Sequence, residues 1–147
     1  MAKAVASANY KFALFDKRLA IYDELDQIVG QIVTATWGDD LHSRIKKATL
    51  AAKSLFNDDK EIVLWVTKLD QSAQSYWETK LRIKKLDDEI AAGTAAKTAA
   101  SEKLEEHKTL VTQYLHMAHV CDVHELELLF NRYLTLESVL RFETENS

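Results

Sequence analysis

A chain of 147 residues with net charge −4, one cysteine, three glycines and no proline is long enough to bury a continuous core without disulfides or metals. Its lone thiol excludes an intrachain disulfide and fits a reducing, cytoplasmic setting. Lysines and arginines are interspersed with acids, so the broad basic field that holds nucleic acid is missing. The longest apolar runs, such as residues 62–66, fall far short of the roughly 20 residues a spanning helix needs, and the apolar part of the opening MAKAVASANYK is too short for a signal peptide.

With turn punctuation so sparse, apolar residues recurring at three and four predict an all-α fold. The expected architecture is one domain over 1–147, an elongated antiparallel bundle of four to five helices. The first helix is expected over about 8–37, with Leu14, Ile21, Leu25, Ile28 and Ile32 on one face and Gly38 as its left-handed terminator. Arg18 falls inside that stripe, beside Ile21, Tyr22 and Leu25. A guanidinium there needs carboxylate or carbonyl acceptors, which predicts an inter-helix ion pair to Asp58 or Asp59 that docks the first helix. A ligand-binding role for Arg18 is the alternative.

A second helix over 40–56 is expected to be capped by Asp39 or Asp40 and to bury Leu41, Ile45, Ala48, Ala52 and Leu55. Its Arg44, Lys46, Lys47 and Lys53 are the residues a weak nucleic-acid binder would use, the lowest-ranked reading. Asp58 with Glu61 then forms a capping pair that opens a third helix over 59–92. There Ile62, Leu69, Tyr76, Ile83 and Ile90 recur every seven residues, the seam of a coiled coil or long bundle contact. At about 50 Å this helix outreaches the second, and its overhang must be covered by other helices or by a second copy of the chain. The basic run KLRIKK is followed by Asp87, Asp88 and Glu89, which points to helical ion pairs. Trp37, Trp65 and Trp77 read as core or interface anchors.

A fourth helix over 95–120, capped by Thr94, gathers Leu104, Val111, Tyr114 and Ala118 on one arc, with His107 inside it as a core histidine. Asp122 with Glu125 repeats the capping pair and opens a fifth helix over 123–143, presenting Leu126, Leu129, Phe130, Tyr133, Leu136 and Leu140. At the junction stands HMAHVCDVH, which sets His116, His119, Cys121 and His124 close together. Tetrahedral zinc needs its ligands converging at about 2.0–2.3 Å, and on one helix these side chains diverge. The preferred reading makes the imidazoles complements to a helix C-terminus and Cys121 a small buried hydrophobe. A metal site at His116, His119 and His124 is the alternative. No E-x-x-H pair, phosphate-cradling glycine loop, nucleophile elbow or H-E-x-x-H motif occurs, so no catalytic residue and no cofactor is assigned.

The run YKFALFDKRLAIYDEL, residues 10–25, resembles a group of small uncharacterised bacterial helical proteins that carry L-F-[DE]-[KR]-R-x-x-[IV]-Y, with Arg18 and Tyr22 among the matching residues. The resemblance extends through LFNDDKEIVLWVTKL, residues 55–69, and faintly to LLFNRYLTL, residues 128–136. It implies a cytoplasm-facing helical domain, often tethered by a membrane helix before the motif, and no established activity. Only about a dozen residues precede the motif in this chain, so the member is either soluble or truncated. The function expected from these readings is a non-enzymatic protein-interaction or scaffolding module that binds a protein partner or itself, with Arg18, Tyr22, Asp58 and Asp59 as the structural candidates.

Overall fold

A computed structural model of the protein describes residues 2–135, with side chains from Val5 onward. Among the described residues there are five helices and no strand: α1 (Ala2–Thr34), α2 (Leu41–Leu55), α3 (Lys60–Ala91), α4 (Ala99–Val120) and α5 (Val123–Leu134). The all-α expectation holds. The expected end of the fifth helix to 143, with Leu136 and Leu140, lies outside the described residues.

The helix ends differ from expectation for local reasons. α1 begins earlier than residue 8 and stops three residues before Trp37. Thr36 N–H donates to Gln31 O (3.0 Å) and Ala35 N–H to Ile32 O (3.2 Å), a reversal in which Ala35, at φ 54°, takes the left-handed position assigned to Gly38. Stopping there lets Trp37 fold back so that its ring meets those of Tyr76, Trp77 and Tyr114 at 5.7–6.4 Å. Neither Asp39 nor Asp40 caps α2 through its side chain; Asp40 is the N-cap residue but makes no side-chain bond there. α3 is capped by Asp59, not Asp58: the Asp59 carboxylate accepts from the N–H groups of Glu61 (3.1 Å) and Ile62 (3.2 Å), while Asp58 is exposed. The helix starts one residue later than expected, so the acceptor shifts with it. α3 closes as α1 does, with Gly93 (φ 72°) in the left-handed position and Thr94 N–H donating to Glu89 O at 3.0 Å. Thr94 thus finishes α3, and α4 starts at Ala99 behind Thr98. Asp122 caps α5 as expected, accepting from His124 and Glu125 N–H.

From α1 to α4, successive helices run antiparallel, as their cross-links show. Glu24 of α1 meets Arg44 of α2 (2.8 Å) while Arg18, further back on α1, meets Leu55 further along α2. His42 and Lys46 of α2 reach Gln74 and Asp70 of α3 in descending order. Trp65 at the start of α3 donates to Val120 O at the end of α4 (3.2 Å), and Arg82 pairs with Glu106. α5 returns to α1, where Tyr22 meets Phe130. One core forms from Leu25, Ile28, Val29 and Ile32 of α1, Ile45 and Ala52 of α2, Ile62, Val66 and Leu69 of α3, Met117 of α4, and Leu126 and Phe130 of α5.

At 32 residues α3 is about 48 Å long. The α1–α2 turn reaches only the level of Tyr76 and Tyr114. Beyond it the second half of α3 and the first half of α4 form a two-helix arm, whose inner contact is made by Thr79, Ile83 and Ala99. The seven-residue seam of α3 is buried at Ile62, Leu69, Tyr76 and Ile83 and runs out at Ile90, which is 45% exposed. On α4 the expected apolar arc is covered only at its far end. Tyr114 and Ala118 pack against the core, but Leu104 and Val111 are more than half exposed and His107 is in solvent, not a core histidine. α1, which would cover them, has already ended.

Candidate functional site

Two constellations stand out, a polar knot at the base of α3 and the open face of the arm.

The knot is built where the α2–α3 loop meets α1 and α5. Asp59 is buried, and besides capping α3 it accepts from the Tyr133 hydroxyl (2.6 Å) and pairs with Arg132. Burial pushes its carboxyl up, but the Tyr133 hydroxyl, the Arg132 guanidinium and the Ile62 N–H outweigh that and hold it down at about 2. Burial and the neighbouring Asp59 raise the Tyr133 phenol in turn. Arg132 is itself largely in solvent, so the hydrogen-bonded tyrosine and the cap carry most of the link.

Arg18 does dock α1 here, though not by the expected ion pair. Its guanidinium lies 5.0 Å from the Phe56 ring and 4.9 Å from the Tyr133 ring, and Nη2 donates to Leu55 O at 3.3 Å. Its Nε is buried without a partner. The aromatic faces supply the attraction expected of a carboxylate, because Asp59 is already engaged by α5. Tyr22 packs its ring against Phe130 at 5.8 Å; burial, with Asp26, Glu127 and Asp23 nearby, raises its phenol. Asp58 joins neither group. Arg132 was not singled out by sequence reasoning: its partner lies 73 residues away, and no local pattern marks such a pair.

The junction cluster separates. His116, His119 and His124 are exposed, while Cys121 is buried and its thiol is pushed up to about 12 by that burial. His116 and His119 line a groove of about 590 Å³ between α3, α4 and α5, with Glu61, Lys68 and Glu125 at its rim. His124 faces a different hollow, beside Tyr22 and Glu127. Among the described residues no three of these groups approach a common point as metal ligands. Of the basic residues on α2, Arg44 is bound to Glu24 and Gln31 and Lys46 to Asp70, which neutralises part of the face a phosphate backbone would need.

The arm presents the remaining feature. On α4, Leu104, Val111 and Ala118 lie seven apart on one stripe, and His107 lies seven before Tyr114. Tyr114 donates its hydroxyl to Ile32 O of α1 at 3.0 Å, so this is the α1-facing side. On α3, Gln74 accepts or donates to His42 of α2 and Trp77 stacks on the same imidazole at 5.0 Å. Seven residues on from these come Leu81 and Lys84, and Leu81 is 66% exposed. Both sides that hold α1 and α2 near the base therefore continue up the arm uncovered. Among the described residues no helix is long and apolar enough to cross a membrane. No protein-family model, curated protein or solved structure matches the chain.

Proposed function

We propose that this chain is a non-enzymatic, cytoplasmic helical interaction module whose docking surface is the open face of the α3–α4 arm. One observation carries the reading: the stripes that bind α1 and α2 at the base extend past the end of both helices, leaving Leu81, Leu104 and Val111 apolar and in water. A two-helix arm buries too little to be finished alone, and long bundles with a seven-residue seam are completed by further helices. The base serves as a rigid mount. Its knot and core fix the first half of α3, so the arm projects from the bundle in one direction.

A photo-reactive residue replacing Ala100, which is exposed between Leu104 and the arm tip, tests this in the native cell. It is expected to form adducts with protein, either another copy or a different chain, whereas the same probe at Leu50, exposed on α2, forms none. Adducts at both positions alike, or at neither, would overturn the proposal.

A further inference from the structure

The arm's vacant face is two helices wide and carries its own complement. On α3, Lys80, Lys84 and Asp88 follow one another at four-residue spacing along the stripe that borders this face, all exposed. The wider run changes sign in the same direction: Lys80, Arg82, Lys84 and Lys85 lie toward the base, and Asp87, Asp88 and Glu89 toward the tip. Within the arm, Arg82 is engaged by Glu106 and Asp87 by Lys103 across α3 and α4. Among the described residues Lys84 and Asp88 enter no such pair, and Lys80 rests over the Tyr76 ring at 5.5 Å.

Resting on the docking-surface reading above, we infer that the occupant of this face is a second copy of the chain, its arm laid antiparallel on the first to close a four-helix bundle. A two-fold axis crossing the arm near residue 84 sets Lys80 of each copy against Asp88 of the other. It also brings Leu104 near the partner's Leu104. The two Lys84 side chains then flank the axis, and a partner with a uniform charge would meet a surface of the wrong sign over half its length. Sign reversal along a stripe is what a two-fold contact with an identical surface requires.

The size of the contact fixes its strength. The arm beyond Tyr76 is about 22 Å long, so two helices of about 10 Å width offer roughly 400 Å² per copy, half of what stable dimers bury. The association is therefore reversible, with the dimer forming at tens of micromolar or above, by order of magnitude.

Sedimentation equilibrium over about 5 to 500 µM tests it. The wild-type chain is expected to pass from monomer to dimer, and Leu81→Glu with Leu104→Glu to remain monomeric with unchanged helix content by circular dichroism. Lys80→Glu and Asp88→Lys are each expected to weaken the dimer by about tenfold. An equimolar mixture of the two restores it, because each mismatched pair becomes opposite in sign. A wild-type monomer across the range overturns the inference, as does a dimer indifferent to the leucine variants or a mixture no stronger than its components. If the chain stays monomeric while the Ala100 probe still captures other proteins, the two-fold pairing fails and the docking surface stands.

Discussion

Near its start α3 packs against α2, α4 and α5; around residue 84 the ion pairs that hold it reach α4. The same helix, with the same seven-residue seam, is thus core at one end and half-uncovered at the other. At the base, specificity comes from a buried carboxylate that caps one helix and grips another, and from aromatic faces that hold a guanidinium. On the arm, cohesion comes from a thin apolar strip and two cross-helix ion pairs, one of them 51% exposed at its arginine. Each such pair contributes well under about 1 kcal/mol. Burial and apolar exposure are divided between the two ends.

Substitutions should reproduce that division. Phe130 is fully buried, and its ring meets Phe56 and Tyr22. Phe130→Ala is expected to lower unfolding free energy by about 3–5 kcal/mol in chemical denaturation, because it opens a cavity at the meeting point of α1, α2 and α5. Asp59→Ala removes a cap and a charged acceptor together and should cost about 2–3 kcal/mol. Because the folded-state carboxyl is held at about 2, below its ordinary 3.8, its contribution is full above about pH 4 and fades as pH falls through 2. The wild-type melting temperature should accordingly drop across that window, with a flatter profile in Asp59→Asn; parallel profiles would show that Asp59 is not the group responsible. Ala35→Gly should raise stability by about 0.5–1 kcal/mol, since φ 54° strains alanine and the side chain is exposed. Smallest of all, Leu104→Glu should change monomer stability by less than about 0.5 kcal/mol. A loss as large as that of Phe130→Ala would erase the distinction between base and arm.

How far the sequence could be read follows the same divide. Helix number and type, the cap at Asp122 and the buried Cys121 are local or periodic features, and each is legible from spacing and composition. The left-handed turn at Ala35 was missed because a glycine three residues on is the better conformer in isolation; tertiary burial of Trp37 decides the matter. Asp58 and Asp59 are neighbours of one type, and only the position of Tyr133 on a distant helix selects between them. The arc on α4 was legible as apolar, but periodicity states which side of a helix seeks cover and cannot state where the covering helix ends. Leu104, Val111 and His107 are exposed for that reason alone.

The link between Asp59 and Tyr133 spans 74 residues of chain, whereas α3 and α4 meet through a short turn at Gly93. During synthesis the hairpin can therefore close as soon as its second helix leaves the ribosome, while Phe56 waits for α5 before its ring is covered. The nascent protein thus passes through a stage in which the exposed arm is already formed and the base that makes the fold stable is not.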